Sequence, residues 1–407
     1  MTNSTTRSQR VLVVGLGISG IATALRLHRL GWKPVVVERA PTRRQGGYFI
    51  GLFGTGKASA ARLGVLESIL NRQHPRSITY ELDRAGHHHK GMSFVELPGM
   101  PYALLRGDVE DGLFRALPEE VEIRFSTVPT RIVQDEHGVD VTMTHTKTGM
   151  ATTERFELVV GADGMRSTVR QLVFGPPEDF LHPMNYMIAA SILSKPIAGF
   201  SSHDGLILAE AGRSAWVFPF ANHNPAVLFS YRADDIDAQF RRRPIESLRE
   251  AFGPQPAGSV LGQLLDDFGA ANEYLFDSVN QVRMERWHKG RVVLVGDSAW
   301  CLTLYSGMGA SSGMAGAELL GNMLEKYPDN LGRALVEWEA RLRPFIEYHQ
   351  SQAWGMRRFF TPAGEAERAM RATIIKAMGL PIIGPFITKM NQGGRRRRMQ
   401  MLDIAAP

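Results

Sequence analysis

The chain has 407 residues, 44% hydrophobic and 22% charged, which is enough apolar material for two or three full-sized cores. No run of about 18 apolar residues exists, so no membrane-spanning helix is expected; one cysteine excludes an internal disulfide framework and fits a reducing, cytoplasmic setting. The net charge of +6 gathers in arginine knots at 241–243, 357–358 and 395–398 with no nucleic-acid motif beside them, so they read as solvated surface and no nucleic-acid partner is expected.

Residues 1–10 are polar and carry no apolar core, so no signal peptide is expected. The run 11–14 then reads as a buried strand. Gly15, Gly17 and Gly20 follow in GxGxxG spacing, with Ile18 and Ser19 between the last two. A helix pattern comes next, carried by Ile21, Ala22, Leu25, Leu27 and Leu30, and Gly31 is placed to stop it. A second apolar run, 34–37, ends at Glu38. Gly15 permits the tight turn, Gly17 lets a pyrophosphate approach the backbone, and Gly20 lets the helix pack close to the sheet. The helix N-terminus offers unpaired N–H groups and partial positive charge. Glu38 stands where an acid accepts hydrogen bonds from ribose hydroxyls. Strand, turn, helix and acid together point to a bound dinucleotide. Arg39 directly follows, and Arg43 and Arg44 are close enough to face the same ligand.

The glycine-rich stretch 46–51, with Gly47 and Tyr48, suggests backbone passing close to something flat or bulky. A helix is expected over 56–70, then strands at 78–82 and 93–95. His87, His88 and His89 alternate faces if they lie on a strand, and no carboxylate or cysteine completes a metal site nearby, so a polar strand edge is expected. A strand delivers Arg106 to the start of a helix that Asp108 could cap; Arg106 is either a surface charge or a cofactor contact. Strands are expected at 121–125, 131–134, 139–144 and 156–160. The last runs into Asp163-Gly164, a second loop of close approach.

Residues 174–285 read as a separate domain, with strands at 206–210, 215–220 and 226–232, a hairpin at 211–213, and helices at 245–252 and 259–268. Trp216, Phe218, Phe220, Phe229 and Tyr231 either wall an apolar ligand pocket or form a sheet core. The second anchor begins at 290. A buried strand ends at Gly296-Asp297, a loop crosses through Cys301 and Tyr305, and small residues after Gly307 open a helix. Asp297 could bind a polyol hydroxyl, and the N–H groups of Gly309 and Ala310 suit negative charge. From 331 onward the pattern is helical, with Trp338, Leu342, Phe345, Ile346 and His349 on one stripe. A second helix is expected over 365–378, and the proline-broken apolar stretch 381–390 reads as a covering element.

Three motifs stand in order: GLGISG with Glu38, GADGMRSTVR, and GDSAWCLTLYSGMGA. Together they resemble the single-component FAD-dependent aromatic monooxygenases, the class of p-hydroxybenzoate hydroxylase and the tetracycline-inactivating oxygenases, over roughly residues 10–350. The resemblance implies an NAD(P)H- and O2-dependent enzyme that hydroxylates an aromatic or polycyclic small molecule through a flavin C4a-hydroperoxide. It implies that Glu38 binds the adenosine ribose and that Arg106 lies near the FAD. Asp163 is linked to FAD and NAD(P)H, Asp297 holds the ribityl chain, and the Gly307–Ala310 stretch lies along the flavin ring. No protein nucleophile or strong general acid is nominated; Tyr48, His203, Arg213, Trp216, Phe218 and Tyr305 are candidates for substrate contact. The sequence departs from the family in Trp300 for a usual histidine, Leu304 for a proline and Ser311 for an asparagine.

The expected fold is α/β: a Rossmann-type FAD-binding domain (1–77, 102–173, 286–330), an inserted β-sheet substrate domain (78–101, 174–285), and a C-terminal helical region (331–407). A monomer or homodimer is expected. The alternative is a flavoprotein of the same build that does not insert oxygen; the missing Trp-x-Trp signature disfavours a flavin halogenase.

Overall fold

The first apolar run folds as the Arg10–Val14 strand, inside a six-stranded sheet in the computed structural model, which describes residues 9–43, 46–94, 101–378 and 394–406. Lys33–Val37 and Leu158–Gly161 flank it in parallel. Val292–Leu294 lies parallel beyond the latter, the short His288–Lys289 strand is antiparallel at that edge, and Glu122–Arg124 closes the other. Parallel strands covered on both faces need continuous apolar runs. Val11, Leu12, Val13, Val36, Val159 and Val293 are all fully buried, each contributing about 1.5–3 kcal/mol. Val14 pairs with Gly161 and Gly161 with Leu294, so the C-terminal ends of three strands distant in sequence lie level.

The helix Ile18–Arg29 packs on Gly309–Lys326, which also meets Gly54–Arg62 and the 30-residue helix Leu331–Phe360. That last helix is about 45 Å long at the usual rise per residue. Its expected stripe, Trp338, Leu342, Phe345, Ile346 and His349, is buried throughout.

A seven-stranded sheet forms the second layer, in the order Tyr274–Val282, Leu181–Ile192, His223–Arg232, Arg213–Phe220, Gly205–Glu210, Thr79–Leu82 and His88–Lys90. Alternation along the strands gives it two faces. Ala215, Val217, Val227 and Phe229 pack on the helices Pro244–Phe252 and Gly258–Ala270. Ile207, Trp216 and Phe218 turn the other way, toward Phe49, Phe359 and Phe360.

Several elements differ from expectation. The helix expected over 56–70 is Gly54–Arg62 plus a 3-10 turn at Leu66–Ser68, because Gly64 takes a left-handed φ of +68°. Ser93 and Phe94 are not strand, and Val95 lies outside the described residues. The strand expected over 156–160 is two: Ala151–Phe156 belongs to a three-stranded meander, and Leu158–Gly161 to the parallel sheet. Leu181–Ile192 and Tyr274–Val282 were not expected at all. The first hides behind Pro183 and Asn185, where the ladder slips register and Asn185 turns to φ +59°. The second carries the polar residues Asp277, Asn280 and Gln281, two of which reach distant partners: Asp277 accepts from Arg166, and the Gln281 amide donates to the Gln350 carbonyl. The helix Glu365–Met378 lies where expected; stretch 381–390 is outside the described residues.

Candidate active site

The carboxyl ends of the central strands open into a groove of about 330 Å³ lined by Gly15, Gly17, Glu38, Arg39, Arg106 and Asp163. Gly15 sits at φ +105°, and a Cβ there would stand 2.4 Å from the Ala162 carbonyl oxygen. The first glycine therefore lets the Asp163 loop come within contact of the first turn. Glu38 holds that turn: its carboxylate accepts the Leu16 N–H at 3.0 Å and the Ala40 N–H at 2.8 Å. A carboxylate has about four lone-pair sites, so Glu38 keeps acceptor capacity for hydroxyls. Arg39 is exposed at the rim. Arg43 lines the groove, with its guanidinium paired to Asp111 and lying 4.0 Å over the Phe114 ring; Arg44 is outside the described residues.

Asp163 faces this groove mainly with its backbone. Its carboxylate accepts the Ser167 hydroxyl at 2.6 Å and the N–H groups of Thr168 and Val169 at 2.7 and 3.1 Å, capping the helix Thr168–Val173. Burial pushes its pKa up while those donors oppose the rise.

Arg106 is the first residue of the helix Arg106–Arg115 and pairs with Glu110 one turn on, at 2.7 Å. Asp108 does not cap that helix; it makes a two-pronged pair with Arg72 at 2.5 and 2.9 Å. Burial would lower the Arg106 pKa, but Tyr48, Glu110, Asp297 and Glu38 overcome it and leave it raised. The same guanidinium thus feels the acid of the first anchor, Glu38, and the acid of the second, Asp297. Glu110 also lines the groove. It was missed in the sequence, though its four-residue spacing from Arg106 was a readable signal.

The second anchor lies on the same side of the molecule as the first. An ideal Cβ on Gly296 would stand 2.2 Å from Ser19 Oγ, and one on Gly313 2.4 Å from it. Ser19 therefore joins the two anchors by packing, while the N-cap of its helix, Gly17, opens on the groove and Ile18 packs in the core. Asp297 keeps solvent-exposed surface although protein surrounds it. This desolvation raises its pKa, opposed by Arg106 and by a hydrogen bond from the Cys301 thiol. Burial and Asp297 push the Cys301 thiol well up in turn. Burial also raises the Tyr48 phenol, which lies within reach of the Arg106 and Asp297 charges. Gly47 touches the same place: a Cβ there would be 2.8 Å from the Gly107 nitrogen.

The helix Gly309–Lys326 begins at Gly309, so the N–H groups of Gly309 and Ala310 are first-turn donors without an intrahelical acceptor. Gly307 contributes shape instead: it is left-handed at φ +67°, and its N–H donates to the Leu304 carbonyl. The three departures from the family are accommodated by packing. Trp300 is buried against Trp287 and Trp338 and donates to Ser312 Oγ at 3.3 Å. Ser311 Oγ accepts the Phe53 N–H at 2.9 Å, and Leu304 packs beside Tyr305.

A second, apolar pocket lies on the face of the seven-stranded sheet opposite the helices Pro244–Phe252 and Gly258–Ala270. Trp216, Phe218 and Ile207 form its floor, Phe49 and Phe94 one side, and Phe359 and Phe360 its cover. Of the substrate candidates, Trp216 and Phe218 line it directly; His203 does not, but stacks on the lining residue His74 with ring centroids 3.5 Å apart. Arg213 and Tyr305 are not brought there. Arg213 points to the opposite face, bonded to Glu210 and to the Ala251 and Gly253 carbonyls. Tyr305 is enclosed with Met184, Tyr186 and Val279, its hydroxyl 2.8 Å from Ser230 Oγ. Phe49, Phe94, Phe359, Phe360 and His74 were missed, since nothing local marks residues that meet only across the tertiary fold. Among the described residues no group of three or more potential ligands could hold a metal ion, and no helix is long and apolar enough to cross a membrane.

This constellation fits an FAD. A Cβ on Gly17 would project toward Arg106 and Glu110, 3.6 Å from each, and so into the groove that the cofactor needs. Residues 8–327 match the FAD binding domain family, and the chain belongs to it. A flavin-dependent monooxygenase from an unknown prokaryotic organism is 28% identical over 360 residues, 85% of this chain and 88% of that one. A flavin-dependent monooxygenase of Legionella longbeachae is 27% identical over 350 residues, 84% of this chain and 87% of the relative. Among solved structures, tetracycline destructase Tet(51) is similar with a TM-score of 0.75 at 26% identity, covering 94% of this chain and 98% of its own. The protein is an FAD-dependent monooxygenase of mixed α/β fold.

Proposed function

We propose that the enzyme uses NAD(P)H and O2 to hydroxylate an aromatic or polycyclic small molecule. The observation that carries this reading is the coupling of Arg106 to Glu38 at one end of the groove and to Asp297 and Tyr48 at the other, which fits one elongated nucleotide. When bound, FAD supplies the redox chemistry: two electrons from NAD(P)H, and activation of O2 so that one oxygen atom enters the substrate and the other leaves as water.

The chain's own residues do the holding. Glu38 would accept the ribose hydroxyls, and the glycine turn with its helix N-terminus would face the pyrophosphate. Asp297 would accept ribityl hydroxyls, and Arg106 would add positive charge between the two. The N–H groups of Gly309 and Ala310 would stabilise negative charge that develops on the flavin's pyrimidine edge. Trp216 and Phe218 would bind the substrate ring and exclude water. We assign nucleotide binding to 1–77, 102–173 and 286–330, substrate binding to 78–101 and 174–285, and cover to 331–407. The same reading has the enzyme working in the cytoplasm as a monomer or homodimer.

The test is direct. Purified protein should be yellow with an oxidised-flavin spectrum, and a screen of phenols, quinolones and polyketides should find compounds that stimulate NAD(P)H oxidation. O2 consumption should match it, and the product should carry one added oxygen atom. Substrate-stimulated NAD(P)H oxidation with no oxygenated product would instead indicate a reductase.

A further inference from the structure

We propose that the aromatic pocket selects an uncharged polycyclic phenol over an aromatic carboxylate, and that His74 donates the hydrogen bond that recognises the phenol oxygen. This deepens the monooxygenase reading and rests on it.

The walls argue for a flat, fused-ring ligand. Phe49 and Phe218 lie parallel with centroids 3.9 Å apart and 7° between planes, and Trp216 lies within 15° of parallel to Phe218 with centroids 6.2 Å apart. Phe94 stands edge-on to Phe49 at 4.7 Å and to Phe218 at 6.5 Å. With Phe94 there the pocket holds about 50 Å³, so a bicyclic ligand would have to displace the Phe94 ring to lie against those parallel faces.

The charge pattern argues for neutrality. No aspartate, glutamate, lysine or arginine lines the pocket among the described residues. The guanidinium behind its wall, Arg371, lies 5.8 Å from the Trp216 ring and 4.9 Å from the Phe359 ring. It is already held by Glu81 through two bonds of 2.7 Å, and both side chains are buried. A carboxylate entering here would lose its water and find no free cation, which is costly. A phenol loses far less.

His74 supplies a ring donor in a polar lining that also holds Gln73, Ser77, Thr79 and Ser93. Its Nδ1 accepts the Arg76 N–H at 3.2 Å, which assigns the proton of the neutral ring to Nε2 and makes that atom a donor. Its ring lies parallel to His203 at 3°, so a second positive charge in that stack would meet its like. Desolvation, then His203 and Arg76, hold the His74 pKa below its ordinary value of 6.5.

The experiment titrates the holoenzyme with β-naphthol, β-naphthoate and naphthalene, following tryptophan fluorescence, with flavin content measured on the same samples. β-Naphthol should bind at least about tenfold more tightly than β-naphthoate. His74→Phe keeps a ring on His203 and loses the donor, so it should weaken β-naphthol about tenfold, as loss of one good hydrogen bond does. Naphthalene affinity should stay within about twofold, because ring packing is kept. Equal or tighter binding of β-naphthoate overturns the proposal, as does a His74→Phe variant that shifts naphthol and naphthalene alike. Failure of all three to bind overturns it too. Fluorescence needs no flavin, so a colourless protein would count against the FAD reading and leave the ligand ranking to be judged separately.

Discussion

Asp297 occupies a place that works against its own charge. Protein surrounds it, desolvation raises its pKa, and Arg106 with the Cys301 thiol only partly compensates. Such an arrangement favours ligand hydroxyls that would complete its hydrogen bonds. Asp297→Ala should therefore weaken FAD binding by roughly 10- to 150-fold, the equivalent of a charged hydrogen bond of about 1.5–3 kcal/mol. The apoprotein should melt no lower than wild type, because a disfavoured charge has been removed. Flavin titration and thermal melts of the apo forms check both halves; unaltered flavin affinity would remove Asp297 from the cofactor site. Glu38 was readable from the same kind of local logic, since strand, glycine turn and acid are contiguous in sequence. Tyr305 and Arg213 were not, because only the sheet's register decides that Tyr305 meets Ser230 and that Arg213 faces the helices.

At the level of elements, the contact between the first glycine turn and its helix sets the shape of the groove. A Cβ on Gly20 would stand 1.9 Å from the Gly15 carbonyl oxygen, which is backbone and cannot rotate aside. Gly31 also lies in the left-handed region, at φ +84°, but nothing stands within 4 Å of a Cβ there. Gly20→Ala should thus cost about 3 kcal/mol or slightly more, the upper end for forced overpacking, together with flavin binding. Gly31→Ala should cost only about 1–2 kcal/mol, the price of a left-handed alanine, with flavin binding intact. Denaturant unfolding of the two variants compares them; equal costs would mean that close approach does not govern this turn. The glycine spacing was legible from the sequence alone. The strands Leu181–Ile192 and Tyr274–Val282 were not: the first slips register between Pro183 and Met187, and in the second Asp277 and Gln281 find partners on other elements.

For the whole molecule, the C-terminal helices fasten the seven-stranded sheet to the parallel-sheet half. The Leu331–Phe360 helix buries Trp338 and Leu342 in the large core and ends with Phe359 and Phe360 over the aromatic pocket. The next helix, Glu365–Met378, returns to the sheet through the buried Arg371–Glu81 pair, and Arg371 Nε donates to the Phe359 carbonyl at 2.6 Å. Arg371→Met would leave Glu81 buried and unpaired, so it should destabilise the protein by about 3–5 kcal/mol. Adding Glu81→Leu should recover most of that loss, because two apolar residues replace the pair. Unfolding of the single and double variants decides it: a single variant costing under about 1 kcal/mol would show that this pair does not fasten the helix.

The sequence by itself determined the nucleotide-binding half: its strand, glycine turn, acid and second Gly-Asp anchor are each contiguous, and local sterics and periodicity specify them. It also determined the long C-terminal stripe, whose period is that of a single helix. The aromatic pocket was decided only by tertiary structure. Phe49, Trp216 and Phe360 come from separate segments, and their meeting depends on strand register and on where a distant helix ends. Neither is encoded by neighbours in the chain, because burial rewards the assembled surface and not any one stretch of it.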